Sequence, residues 1–125
     1  MTHSTQTAAP VRIGVIGTGV MGADHIRTIT ESISGARVVA VADIAAERAI
    51  QVADPIGARA FTDGAALIAD PVVDAVIVAS ADATHAALVQ HAISAAKPVL
   101  CEKPLATTIA ECEAIIAAER AGGRR

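Results

Sequence analysis

Apolar residues fall in short runs that alternate with stretches of helical spacing. Residues 11–17 (VRIGVIG) read as a first buried strand. Met21, Ile26, Ile29 and Ile33 then recur at the intervals of one helix face, and Gly35 is a fitting stop. Residues 36–42 (ARVVAVA) form a second apolar run closed by Asp43. Residues 45–53 predict a short helix ended by Asp54-Pro55, and residues 58–61 a short third strand. Thr62 is placed to cap a helix running to Ala69, which Asp70-Pro71 breaks. Residues 74–79 predict strand four, 84–96 a helix and 98–101 strand five. Thr108-Ile-Ala-Glu111 is a capping-box pattern for a last helix with Ile109, Cys112 and Ile116 on one side, ended by Gly122-Gly123.

Strands thus alternate with helices at least four times. That order predicts βαβ units, right-handed crossovers and an α/β fold with a doubly wound parallel sheet. Strands that are apolar almost throughout suit a sheet covered on both faces. One domain over residues 11–125 accounts for the length. Residues 1–10 are polar, without the basic and apolar regions of a signal peptide, and read as a disordered leader.

Composition narrows the function. Hydrophobic residues make up 53% and charged residues 18%, enough for a core and too apolar for a disordered tail. The mean hydropathy of +0.51 comes from Ala, Val and Ile in runs far shorter than the roughly 20 residues of a bilayer span. A net charge of -3, with Phe61 the only aromatic residue, argues against nucleic acid as a partner. Cys101 and Cys112 form no CxxC pair, and no His, Cys and carboxylate cluster has metal spacing. A reducing cytoplasm and no metal are the expectations.

The chemistry begins at Gly17-Thr18-Gly19-Val20-Met21-Gly22, a G-x-G-x-x-G directly after the first strand and opening the first helix. Gly17 permits the tight turn, Gly19 lets a diphosphate approach the backbone, and Gly22 lets helix and strand pack closely. Free amides of the first helical turn then face the anion. Asp43, at the end of the second strand, stands near the roughly 20-residue offset of a carboxylate that binds the adenosine ribose. A Rossmann-type dinucleotide site follows. Ile44, Ala45 and Ala46 offer no cation for a 2′-phosphate, and Arg48 is expected a turn into the helix, so NAD is favoured over NADP.

Cys101-Glu102-Lys103-Pro104 follows strand five, at the end of the sheet that faces the ligand crevice. Lys103 is therefore expected beside the nicotinamide, where an ammonium can polarise a substrate oxygen or share its proton. Equally, the tetrapeptide reads as a charged turn with Pro104 fixing the backbone, in a cis bond if the turn requires it. Cys101 reads as a small core residue. Ser80 and His85, after strand four, are either cofactor contacts or helix caps. His25 reads as a packing residue of the first helix, and His91 as surface or core.

The succession GTGVMGADH, VVAVAD, VIVAS-x-x-x-THA and KPVLCEKPLA resembles the Gfo/Idh/MocA oxidoreductases over nearly the whole chain from Val11 to about Gly122. The Glu102-Lys103-Pro104 tripeptide is the most specific part, and residues 17–28 (GTGVMGADHIRT) are especially similar to the inositol 2-dehydrogenase branch. The resemblance implies that Gly17, Gly19 and Gly22 hold the diphosphate, that Asp43 holds the ribose, that Glu102 lines the nicotinamide pocket and that Lys103 is the catalytic lysine. It implies oxidation of a secondary ring hydroxyl with hydride transfer to NAD, myo-inositol giving 2-keto-myo-inositol. Another sugar or cyclitol as substrate, or a non-catalytic NAD-binding module, are the alternatives. Family members carry a second α/β domain with a D-x-x-x-H arrangement, which has no counterpart in this sequence. Homo-oligomers are expected of the full-length enzyme. For this chain the expectations are little turnover, a bare sheet edge and an apolar surface that favours self-association.

Overall fold

The computed structural model describes residues 9–122. Most of the predicted leader and Gly123 lie outside them. Ala9 and Pro10 are exposed and carry no regular structure.

In chain order the elements are β1 (Val11–Ile16), α1 (Val20–Ser32), β2 (Ala36–Ala42), α2 (Ala46–Ala53), β3 (Arg59–Phe61), α3 (Gly64–Ala69), β4 (Ala75–Val78), α4 (His85–Ser94), β5 (Val99–Cys101) and α5 (Ile109–Gly122). Short 3-10 turns at Asp54–Ile56 and Asp82–Thr84 precede β3 and α4. The five strands form one parallel sheet in the order β3-β2-β1-β4-β5. The chain first winds outward from β1 through β2 to β3, then returns to β4 on the other side of β1. Ligands of such sheets bind beyond the strand C-termini at that reversal.

Alternation along each strand sends side chains to two separate cores. Val15, Val41 and Ile77 pack with Ile26 and Ile29 of α1 and Ala53 of α2. Ile16, Ala42, Val76 and Val78 pack with Leu67 and Ile68 of α3 and Ala92 of α4. Both faces of the sheet are thus covered, which is why the strands read as continuous apolar runs.

Backbone bonds stitch the loops beyond the strands into one edge. Gly17 donates to Ala42 (2.8 Å), Asp43 to Phe61 (3.1 Å), Ala79 to Ile16 (2.8 Å) and Glu102 to Val78 (2.9 Å). Four loops far apart in sequence are therefore held side by side.

Several local expectations change. The inward face of α1 is Gly22, Ile26 and Ile29, whereas Met21 is half exposed and Ile33 lies past the helix end. Asp63, not Thr62, caps α3, its carboxylate accepting from the Ala65 amide at 3.1 Å. The helix expected from residue 84 starts at His85, after a 3-10 turn. In α5, Ile115 and Cys112 face the core beside Ala86 and Val89, while Ile109 and Ile116 are exposed. The capping box there is real: the Glu111 amide donates to Thr108 Oγ1 (3.1 Å), and Glu111 Oε1 accepts from the Thr107 amide and hydroxyl. At the edge strand β5, Leu100 is 53% exposed.

Candidate functional site

Gly17 has φ of +97°, and a Cβ there would lie 2.6 Å from the Ala79 carbonyl oxygen. Only glycine turns the chain there without strain. At Gly22 a Cβ would lie 1.8 Å from the Gly17 carbonyl oxygen, so α1 sits directly against the turn that precedes it. Gly19 differs from both: no protein atom lies within 4 Å of where its Cβ would be. The space beside Gly19 is open, and Gly19 caps α1 with no side chain bonded to the first-turn amides. An uncapped helix N-terminus over open space fits an anion such as a diphosphate. Of the other first-turn positions, Val20 is 87% exposed and Met21 half exposed, and neither side chain lines the cavity described below.

A cavity of ≈ 690 Å3 runs from this turn across the ends of β2 and β4. Gly17, Thr18, Gly19, Asp43 and Ser80 all line it. Asp43 is the best-anchored of them. Its Oδ2 accepts from the Thr18 amide (3.0 Å) and the Thr18 hydroxyl (2.5 Å), and its Oδ1 from the Ala45 amide (2.8 Å). Burial works against the charge, but the Thr18 and Ala45 bonds with the nearby Arg48 outweigh it and hold the carboxyl below the ordinary carboxylate value. Three of its roughly four lone-pair sites are filled. A vicinal diol can take the site remaining on Oδ1, and gains a second once the Thr18 hydroxyl rotates away.

Arg48 is the chief correction in the cavity. The sequence places it a turn into the helix, yet it lines the wall with Nη1 3.9 Å from Asp43 Oδ2. Because α2 begins at Ala46, Arg48 still lies in its first turn and reaches back toward the strand end. Asp63, which the sequence does not single out, and His91, read as surface or core, line the same cavity. Residues that flank a strand end or face it from a short helix carry no spacing signal of their own.

Beyond β4, the Thr84 hydroxyl donates to the Ala81 carbonyl (2.6 Å), so the Ser80 hydroxyl donates to Thr84 Oγ1 (2.6 Å) and keeps its lone pairs toward the cavity. His85, read as either a cofactor contact or a helix cap, does not line the cavity. It is 1% exposed, with Nδ1 at 2.6 Å from the Pro104 carbonyl and Nε2 at 2.9 Å from the Ser80 carbonyl. Both ring nitrogens are occupied by backbone, and the ring ties the β4 loop to the β5 loop.

The β5 loop holds Glu102 and Lys103, which lie outside the cavity wall. The Lys103–Pro104 peptide is cis. Lys103 is exposed and, among the described residues, has no salt bridge. Glu102 Oε2 lies 2.5 Å from His25 Nε2, so His25 is more than a packing residue. Cys101 is half-buried, and burial with the adjacent Glu102 pushes its thiol up to about 11, which fits a packing role. Among the described residues no group of three His, Cys, Asp or Glu side chains is placed to hold a metal, and no helix is long and apolar enough to cross a membrane.

Comparison with known proteins agrees with this geometry. Residues 11–125 match the Gfo/Idh/MocA family, described as an oxidoreductase family with a NAD-binding Rossmann fold. Inositol 2-dehydrogenase 1 of Saccharopolyspora erythraea is 56% identical over 117 residues, 92% of this chain and 35% of that protein. Inositol 2-dehydrogenase of Acidothermus cellulolyticus is 56% identical over 95% of this chain and 35% of its own length. The crystal structure of myo-inositol dehydrogenase from Lactobacillus casei, in complex with NAD(H) and myo-inositol, superposes with a TM-score of 0.85 at 40% identity, covering 90% of this chain and 34% of that one. The chain spans about a third of the length of these relatives. It belongs to the Gfo/Idh/MocA oxidoreductases, as a NAD-binding Rossmann domain of that family.

Proposed function

We propose that this chain is the cofactor-binding part of an inositol 2-dehydrogenase-like enzyme. The reaction is oxidation of a secondary ring hydroxyl, myo-inositol giving 2-keto-myo-inositol. The observation that carries the reading is the uncapped N-terminus of α1, open at Gly19 and flanked by the anchored carboxylate of Asp43. Bound NAD supplies the hydride acceptor. The amides of Gly19, Val20, Met21 and Gly22 serve the diphosphate, with Gly17 making the turn and Thr18, whose amide is spent on Asp43, lining the cleft beside them. Asp43 accepts from the ribose hydroxyls, and Ser80 offers an acceptor across the cleft. Glu102 lines the nicotinamide end. Lys103 is the catalytic residue: its ammonium stabilises the charge that develops on the substrate oxygen as the hydroxyl proton passes to water.

Calorimetric titration of the chain and of Asp43→Ala with NAD and with NADP tests the reading. A 2′-phosphate meets like charge at Asp43, so the chain is expected to prefer NAD. Asp43→Ala is expected to lose about tenfold in NAD affinity, as for a charged hydrogen bond removed. It is also expected to lose the preference, since Arg48 is then free to face the phosphate. Unchanged NAD affinity in the variant would remove Asp43 from the ribose site.

A further inference from the structure

The loop that carries Lys103 is gripped by histidines from two helices. From α4, buried His85 holds the Pro104 carbonyl. From α1, His25 Nε2 donates to Glu102 Oε2 at 2.5 Å, with the two side chains only 26% and 23% exposed. The Glu102 backbone is already fixed to the sheet through Val78. Its side chain is what needs an anchor, because a loose carboxylate next to an ammonium attracts it. With Glu102 engaged by His25, Lys103 stays exposed and without a salt bridge among the described residues.

We propose that His25 is a positioning residue: by holding Glu102 toward α1, it sets the Glu102 carboxylate at the nicotinamide end of the cleft and keeps it off the Lys103 ammonium. This rests on the dinucleotide reading above. The test compares the affinities of the 125-residue chain for NAD and for ADP-ribose, which shares the adenosine and diphosphate but lacks the nicotinamide. His25→Ala is expected to weaken NAD about fivefold, as for one lost charge-assisted hydrogen bond. ADP-ribose affinity is expected to stay within about twofold. His25→Gln, which keeps a donor, is expected to restore most of the loss.

Equal losses for both ligands would mean that His25 only steadies α1, whose N-terminus serves both, and would overturn the proposal. An unchanged NAD affinity would overturn it too. Should His25→Ala fail to fold, His25→Phe, which fills the site without a donor, decides by the same split between ligands. A wild-type chain that binds neither ligand would defeat the dinucleotide reading itself, and this proposal with it.

Discussion

At the β2 end of the cleft, Asp43 is nearly enclosed and takes three hydrogen bonds from Thr18 and Ala45. At the β5 end, Lys103 is exposed and forms no salt bridge among the described residues. The first end is fixed before any ligand arrives: its carboxylate is charged, its turn closed by Gly17, its helix seated through Gly22. The second fixes the loop backbone through Val78 and His85 and the Glu102 side chain through His25, and leaves the Lys103 side chain exposed. In the proposed dinucleotide reading, preorganisation thus belongs to the adenosine end and freedom to the end where a second reactant would fit.

The contrast breaks most severely at Gly22. A Cβ there collides with the Gly17 carbonyl, which no rotamer relieves. Gly22→Ala is expected to displace α1, lower the melting temperature and weaken NAD by about 100-fold or more, from a strain of about 3 kcal/mol. Gly19→Ala sharpens the same point. Its Cβ meets no protein atom, so stability is expected to stay within about 0.5 kcal/mol by urea unfolding. Its dinucleotide affinity is nevertheless expected to fall about tenfold, because the methyl occupies the ligand's path. Equal affinity for Gly19→Ala and wild type would mean that nothing passes there.

Acid acts next, through Asp43 at the fixed end. Asp43 is held below its ordinary value in the folded chain, so its contribution to stability is present above the unfolded carboxylate value near pH 4 and is lost as pH falls through its lowered folded value. The urea midpoint is expected to fall between pH 6 and pH 3, and to fall less in Asp43→Asn. Equal falls would show that the carboxylate is not the group responsible. The exposed end is expected to respond least. Lys103→Met should leave the melting temperature unchanged and NAD affinity within about threefold by calorimetry, since no internal partner is lost.

Legibility in the sequence follows the same division. β2 falls at its expected bounds of residues 36–42, and the other strands within a residue or two, because strands covered on both faces must be apolar throughout. The glycine turn was readable because each glycine answers a backbone need. Side-chain partnerships across the sheet were not. Nothing local links His25 to Glu102, 77 positions away, or distinguishes a His85 whose nitrogens are spent on carbonyls from one that faces a ligand. Helix faces failed where the apolar stripe was judged without its neighbours. Ile109 and Ile116 fit the spacing, yet α5 turns Ile115 to α4. Arg48 was misplaced because its reach depends on where α2 starts.

Amide chemical-shift mapping of the isotope-labelled chain during addition of NAD tests the dinucleotide site most directly. The largest shifts are expected at Thr18 to Gly22 and at Asp43 and Ala45, along the helix mouth and the ribose carboxylate. A second hollow at the opposite ends of the strands, lined by Arg12, Arg37 and Asp74, provides a built-in control. Shifts concentrated there, with the glycine turn silent, would contradict the assignment.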